Sequence, residues 1–215
     1  MTPDFKGRAC GTVNGRGGEV LLLPGERLDL LGRDGLLRII QHPRLFRFSI
    51  DAYLLAACAR PRPGECVLEL GSGNGAVLLL LAGRTEAARV VGLEIQPVLV
   101  EMARRSILLN GLAGRAEARL GDFRRDDAMP PNSFDLVVAN PPHIPAHGGT
   151  RSRLGGLAMA RHELACTLGE VTRAAARWLK KKGRLVMVHR ALSLAEILPE
   201  LERVHLIPKR LTMVH

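Results

Sequence analysis

Two short stretches of this 215-residue chain hold the residue types and spacing that chemistry needs. The first is Glu69-Leu70-Gly71-Ser72-Gly73-Asn74-Gly75. It closes the apolar run CVLEL and opens another. A chain that turns this tightly and lets a ligand approach its backbone needs residues without a Cβ, and three alternate glycines supply them. Glu94 follows 23 residues after Gly71, where an acidic side chain can accept both hydroxyls of an adenosine ribose. Two cofactor classes use this layout. Gly71, Gly73 and Ala76 satisfy the G-x-G-x-x-G/A spacing of dinucleotide sites. Glu69, Gly71, Gly73 and Gly75 satisfy the acidic-x-G-x-G-x-G spacing of S-adenosylmethionine sites. Charge separates them: an acidic Glu69 gains nothing from a pyrophosphate, whereas a sulfonium and an ammonium are attracted to it. Gly121-Asp122-Phe123 adds a further acceptor, since Asp122 could take the amine of an adenine with Phe123 packed nearby. Alone it reads equally well as a turn.

The second stretch is Asn140-Pro141-Pro142-His143, placed after the apolar run FDLVVAN. Two prolines keep the backbone extended and remove its donors, leaving the Asn140 and Pro141 carbonyls and the Asn140 side-chain oxygen as acceptors. Acceptors that grip both hydrogens of a planar NH2 localise its lone pair and aim it at a methyl group. No strong base is required, because positioning and electrostatics carry the help. His143 could stack on a planar substrate.

Together these segments resemble a class I S-adenosylmethionine-dependent methyltransferase of the amino-methylating group, whose motif is (N/D/S)-P-P-(Y/F/W). Within that group the chain is similar to the bacterial tRNA(Val) adenine-N6 methyltransferase family. Further segments carry the likeness: QHPRLFRFSIDAYLLA over 41–56, Ala160-Arg161-His162-Glu163, Val188-His189-Arg190 and Pro208-Lys209-Arg210-Leu211. The resemblance covers roughly residues 30–215. It implies a donor site of Glu69, Gly71, Ser72, Gly73, Gly75, Glu94, Ile95, Asp122, Phe123 and Asn140. It implies a transfer site of Asn140, Pro141, Pro142 and His143, with Phe48 and Asp51 beside the donor or the target base. The implied cofactor is S-adenosyl-L-methionine. The implied substrate is an adenine next to the anticodon of tRNA(Val). Arg151, Arg153 and Arg161, with Arg124 and Arg125, would hold substrate phosphates. His143 departs from the usual Tyr or Phe and offers a smaller stacking surface. Two other functions remain open from the residues: methylation of a glutamine side-chain amide on a protein, which presents the same planar NH2, and non-catalytic RNA binding on a retained fold.

The elements that must position these groups follow from periodicity. Residues 1–18 are glycine-rich and polar, and read as a flexible tail. Residues 19–64 hold short apolar runs around Asp34-Gly35, a hairpin signal, and then a helix over 50–60 with Ser49 as its N-cap. From 65 to 215 strands and helices alternate, which predicts a Rossmann-like, mostly parallel twisted sheet with helices on both faces. Strands are expected at 66–70, 89–95, 116–122, 134–140, 184–189 and 206–215. Helices are expected at 75–83, 97–110, 158–181 and 194–202, with Lys180, Lys181 and Lys182 completing the third. Pro199 interrupts or ends the fourth. The family's C-terminal antiparallel strand would be missing or shortened.

The composition bounds the partners. Lys and Arg number 31 against 21 Asp and Glu, a formal net charge of +10, and 26 of the 31 are Arg. Such an excess favours a polyanion, although an Arg bias in codon usage gives the same total. Cys10, Cys58, Cys66 and Cys166 form no CxxC pair and no zinc spacing. His143 and His147 lack a third ligand, so no metal is expected. Without an apolar leader or a spanning segment, a cytoplasmic protein is expected.

Overall fold

The computed structural model describes residues 11–32, 35–45, 47–125, 127–141 and 166–214. Two antiparallel hairpins come first. β1 (Gly11–Gly15) pairs with β2 (Gly18–Leu22), and β3 (Arg27–Leu31) pairs with β4 (Leu37–Gln41). Residues 11–18, expected in a tail, therefore form a hairpin. Val20 is the reason: it is buried in a small core with Ile40 and with Leu99, Met102 and Leu109 of a later helix. The Asp34-Gly35 hairpin is present, with Leu31 opposite Leu37.

Helix α1 (Ile50–Ala59) starts where the sequence places it, with Ser49 Oγ accepting from the Asp51 amide at 3.2 Å. The alternating core then runs β5 (Cys66–Leu70), α2 (Ala76–Arg84), β6 (Arg89–Glu94), α3 (Pro97–Leu109), β7 (Ala116–Leu120) and β8 (Phe134–Ala139). After an interval outside the described residues come α4 (Leu168–Trp178), β9 (Leu179–Met187) and α5 (Leu194–Arg203). The sheet is parallel throughout, in the order β7-β6-β5-β8-β9. Period-two alternation divides its side chains. Val67, Val90, Ala116, Leu136 and Val138 join α1, α2 and α3 on one face. Leu68, Leu70, Val91, Leu93, Val137 and Ala139 join α4 on the other.

Three expectations for the C-terminal third give way. The helix expected over 158–181 is α4, which stops at Trp178. Its expected lysine ending lies instead in β9, where Lys180 pairs with Asp135 at 2.8 Å. Pairing with β8, together with that ion pair, outweighs the favourable placement of cations at a helix end. α5 continues through Pro199 instead of breaking there. The strand expected over 206–215 is absent among the described residues 206–214. Ile207, Leu211 and Met213 are all exposed, and alternating apolar residues hold a strand only when one face is buried.

Trp178, the sole tryptophan, is fully buried in the second core, and its indole N–H has no hydrogen-bond partner among the described residues. Its contribution is therefore packing alone. Replacing Trp178 with Ala should cost about 3–5 kcal/mol in urea unfolding followed by circular dichroism. Trp178→Phe should cost clearly less, because no hydrogen bond is lost.

Candidate functional site

The register of the parallel strands brings the candidate residues together. Leu70 of β5 is opposite Leu93 of β6 on one side and Ala139 of β8 on the other. The next residues are Gly71, Glu94 and Asn140, so all three emerge at one level of the carboxyl edge. Glu94 is opposite Leu120 of β7, which brings Gly121 and Asp122 to the same edge. The strand order reverses between β5 and β8, the switch point where open α/β sheets bind ligands.

The glycine loop turns as its composition requires. Gly71, Gly73 and Gly75 take φ of 67°, 55° and 88°, a region that side chains other than glycine rarely adopt. The loop hangs from β6: the Gly71 and Ser72 amides donate to the Leu93 carbonyl at 2.8 and 3.1 Å. Glu94 completes the hold. Its Oε2 accepts from the Gly73 amide and its Oε1 from the Gln96 amide, both at 2.9 Å. Glu94 is thus buried and oriented by two backbone donors, and each oxygen keeps a lone pair for a hydroxyl. Gly75 precedes α2 and has no side chain with which to cap it.

Glu69 does not lie on a rim. Alternation along β5 turns it toward α2, and its carboxyl accepts from the Leu78 amide in the first turn of that helix. Burial raises its pKa well above the ordinary carboxylate value; the Leu78 amide opposes that shift and the Glu94 charge adds to it. Its second oxygen is buried without a partner among the described residues. Ser72 also turns inward: its side chain occupies the space that a Cβ on Gly92 would need, at 2.7 Å. Its hydroxyl is buried without a partner among the described residues. A ligand above the loop would therefore meet Ser72 through its backbone.

The remaining sequence candidates separate. Asp122 is held by Arg124, whose Nε reaches both carboxylate oxygens at 2.8 and 2.9 Å. That hydrogen bonding keeps the Asp122 pKa below the usual range. Arg125 pairs with Asp127 at 3.2 Å. Both arginines, expected beside phosphates, pair here with neighbouring carboxylates. Phe123 is half-buried against the second core, and Ile95 is half-buried beside Glu94. Phe48 packs on the first core and meets the Tyr53 ring edge-on, with centroids 5.8 Å apart. Asp51 accepts from the Ser49 hydroxyl at 3.0 Å at the start of α1. Asn140 is half-buried and Pro141 buried. Pro142, His143, Arg151, Arg153 and Arg161 lie outside the described residues. Among the described residues no His, Cys, Asp or Glu cluster could hold a metal, and no helix is long and apolar enough to cross a membrane.

Two features escaped sequence reasoning. Arg44 and Arg47 are exposed, form no ion pair among the described residues, and lie on the segment that joins β4 to α1. Asn74, the residue between two loop glycines, is fully buried and donates to the Ile40 carbonyl at 3.2 Å. Nothing in local spacing points to a partner 34 residues away.

An open cradle, an oriented acidic residue and a turn at the switch point define a site for an adenosine-type ligand. A Cβ on Gly71 would meet nothing within 4 Å, so the space above the loop is clear. The acidic group at the cradle is Glu94, held at the loop by two backbone amides. The chain belongs to the Methyltransferase domain family, which it matches over residues 61–209. That family and this fold imply S-adenosylmethionine as methyl donor, and the residues present fit it.

Particular relatives narrow the comparison. The chain is 32% identical over 151 residues to a tRNA1(Val) (adenine(37)-N6)-methyltransferase of Porphyromonas gingivalis, an alignment covering 66% of this chain and 58% of that protein. It is 35% identical over 130 residues to a release factor glutamine methyltransferase of Rhodospirillum rubrum, covering 53% and 38%. Among solved structures, a predicted O-methyltransferase from Agrobacterium tumefaciens superposes with a TM-score of 0.55 at 28% identity, covering 70% and 66%. The chain spans less than two thirds of the length of the curated adenine methyltransferases it matches.

The Glu69 carboxyl makes its own test. A carboxyl whose folded pKa is raised favours the fold in its neutral form, and that contribution is lost as pH rises through the folded value. Glu69→Gln, which does not titrate, should therefore gain stability relative to wild type as pH rises above the ordinary glutamate range. Urea midpoints of both donor-free proteins across that range measure the difference. Glu94→Ala should weaken donor binding by at least about tenfold in calorimetric titration, since charge-assisted hydrogen bonds contribute about 1.5–3 kcal/mol.

Proposed function

We propose that this chain transfers a methyl group from S-adenosylmethionine to the exocyclic N6 amine of an adenine in RNA, with tRNA as the substrate and the cytoplasm as its place of action. The observation that carries the reading is the strand register, which sets Asn140-Pro141 beside the glycine loop and Glu94. The bound donor supplies a methyl group activated by a positive charge. The chain's own residues do the rest. The glycine loop and Glu94 hold the donor, and Glu69 lies beneath the loop. The Asn140 side chain and the Pro141 carbonyl accept the two hydrogens of the target NH2 and direct its lone pair. Alternation along β8 places Asn140 on the face covered by α1, where Phe48 and Asp51 begin the helix. His143 of the same motif stacks on the target base. Arg44 and Arg47, exposed and without an ion pair among the described residues, join Arg124, Arg125, Arg151, Arg153 and Arg161 as phosphate contacts.

The tRNA1(Val) adenine methyltransferases among the relatives support this substrate. The glutamine methyltransferase match supports a second reading, in which the same acceptors grip a protein amide. Labelled donor incubated with total tRNA and with protein extract separates them. Label in tRNA is expected, and label in protein with unlabelled tRNA would replace the RNA reading with the amide one. Asn140→Ala should lower transfer by at least about a hundredfold while leaving the donor dissociation constant within about twofold, since an interaction made only in transfer costs turnover and not donor affinity. Near-normal turnover in that variant would refute the role given to Asn140.

A further inference from the structure

The glycine loop is anchored from two directions. Leu93 and Glu94 hold it from within the parallel sheet, and Asn74 reaches out of the sheet to the Ile40 carbonyl of β4. That carbonyl belongs to the outer edge of the β3–β4 hairpin. The backbone groups of Arg38 and Ile40 bond outside the hairpin, to residues at α3 and in the glycine loop. Side chains satisfy them in place of a strand. The Arg38 amide donates to Asn110 Oδ1 at 2.9 Å, and Asn110 Nδ2 donates back to the Arg38 carbonyl at 2.6 Å. The Ile40 amide donates to Ser106 Oγ at 2.9 Å, and that hydroxyl donates to the Met102 carbonyl at 2.9 Å. Asn74 completes the row. All three of these polar side chains are buried.

We infer that Asn74 is a positioning residue that couples the β3–β4 hairpin to the donor loop, so that fixing one fixes the other. The inference rests on the reading of the loop as the donor cradle. Three glycines at positive φ give the loop its turn but no side chains with which to keep it, and glycine loses the most conformational freedom on ordering. Of the two other residues in the loop, Ser72 is buried against Gly92, which leaves Asn74 to reach outward. Its amide orientation follows from its partner: only Nδ2 can donate to a carbonyl. Its Oδ1 is buried without a partner among the described residues, a cost that an apolar residue would avoid. The bond at the other end is what the polar side chain contributes. Because coupling between two sites is reciprocal, donor binding must stiffen the hairpin as much as the hairpin stiffens the loop.

Hydrogen exchange by mass spectrometry on the full chain, with and without S-adenosylmethionine, reads both directions, alongside calorimetric donor affinity. In wild type, donor should slow exchange over 37–41 as well as over 89–96. Asn74→Ala should raise the donor dissociation constant about tenfold, the equivalent of one hydrogen bond. It should also abolish donor-dependent protection of 37–41 while keeping that of 89–96. A merely structural role would lower the unfolding temperature without separating the two segments. Ser106→Ala perturbs the same row from the hairpin side and should weaken donor binding; combined with Asn74→Ala it should add little. Should Asn74→Ala fail to fold, Ser106→Ala decides alone. No donor binding in wild type would sink the reading of the cradle itself. Donor binding that leaves 37–41 protected in Asn74→Ala, or a donor affinity in Ser106→Ala within twofold of wild type, would overturn the coupling.

Discussion

The carboxylate of Glu94 is the constraint on which the site depends. It ends β6, accepts from the glycine loop through Gly73, and accepts again from Gln96 at the start of α3. One side chain thereby sets three things: where the loop ends its turn, where the next helix begins, and where an acidic acceptor stands. Sheet register does the larger-scale work by delivering Gly71, Glu94 and Asn140 to one edge. Without Glu94 that edge would hold a glycine run with few fixed points. A buried carboxylate that already carries two backbone hydrogen bonds has no freedom left to search for a ligand, so it meets one in a set orientation.

Beneath this edge, acidity is layered. Glu69 shares a face with Glu94, and burial raises its pKa well above the ordinary carboxylate value, opposed by the Leu78 amide of α2 and reinforced by the Glu94 charge. Arg124 is bound to Asp122 and Arg125 to Asp127, so these two pairs sum to zero and the formal excess of +10 comes from other cations.

What the sequence makes legible divides by range. The glycine loop, the strands that flank it and the Ser49 cap are local: each is specified by a turn requirement, a short apolar run or a hydrogen bond across two residues. They appear where the spacing places them. The position of Glu94 after the second strand of the core is also legible, because its spacing belongs to a known pattern, but its bond to the Gly73 amide 21 residues away is not. The links that escape are those without a local signal. Asn74 reads as a spacer between glycines, yet its partner is Ile40. Lys180 reads as a helix ending, yet Asp135 and the pairing of β8 with β9 draw it into a strand. Ile207, Leu211 and Met213 alternate as a strand should, but no face buries them. Local pattern proposes an element, and only a partner in space decides it.

Trp178 carries a spectroscopic consequence. It is the single indole of the chain and is sealed against the sheet face opposite the one toward which Glu69 and Glu94 turn. An indole in that setting emits at short wavelength, and its signal reports the docking of α4 on the sheet, not the state of the cradle. The protein thus contains one optical reporter of its global packing, kept apart from its chemistry by the thickness of a single sheet.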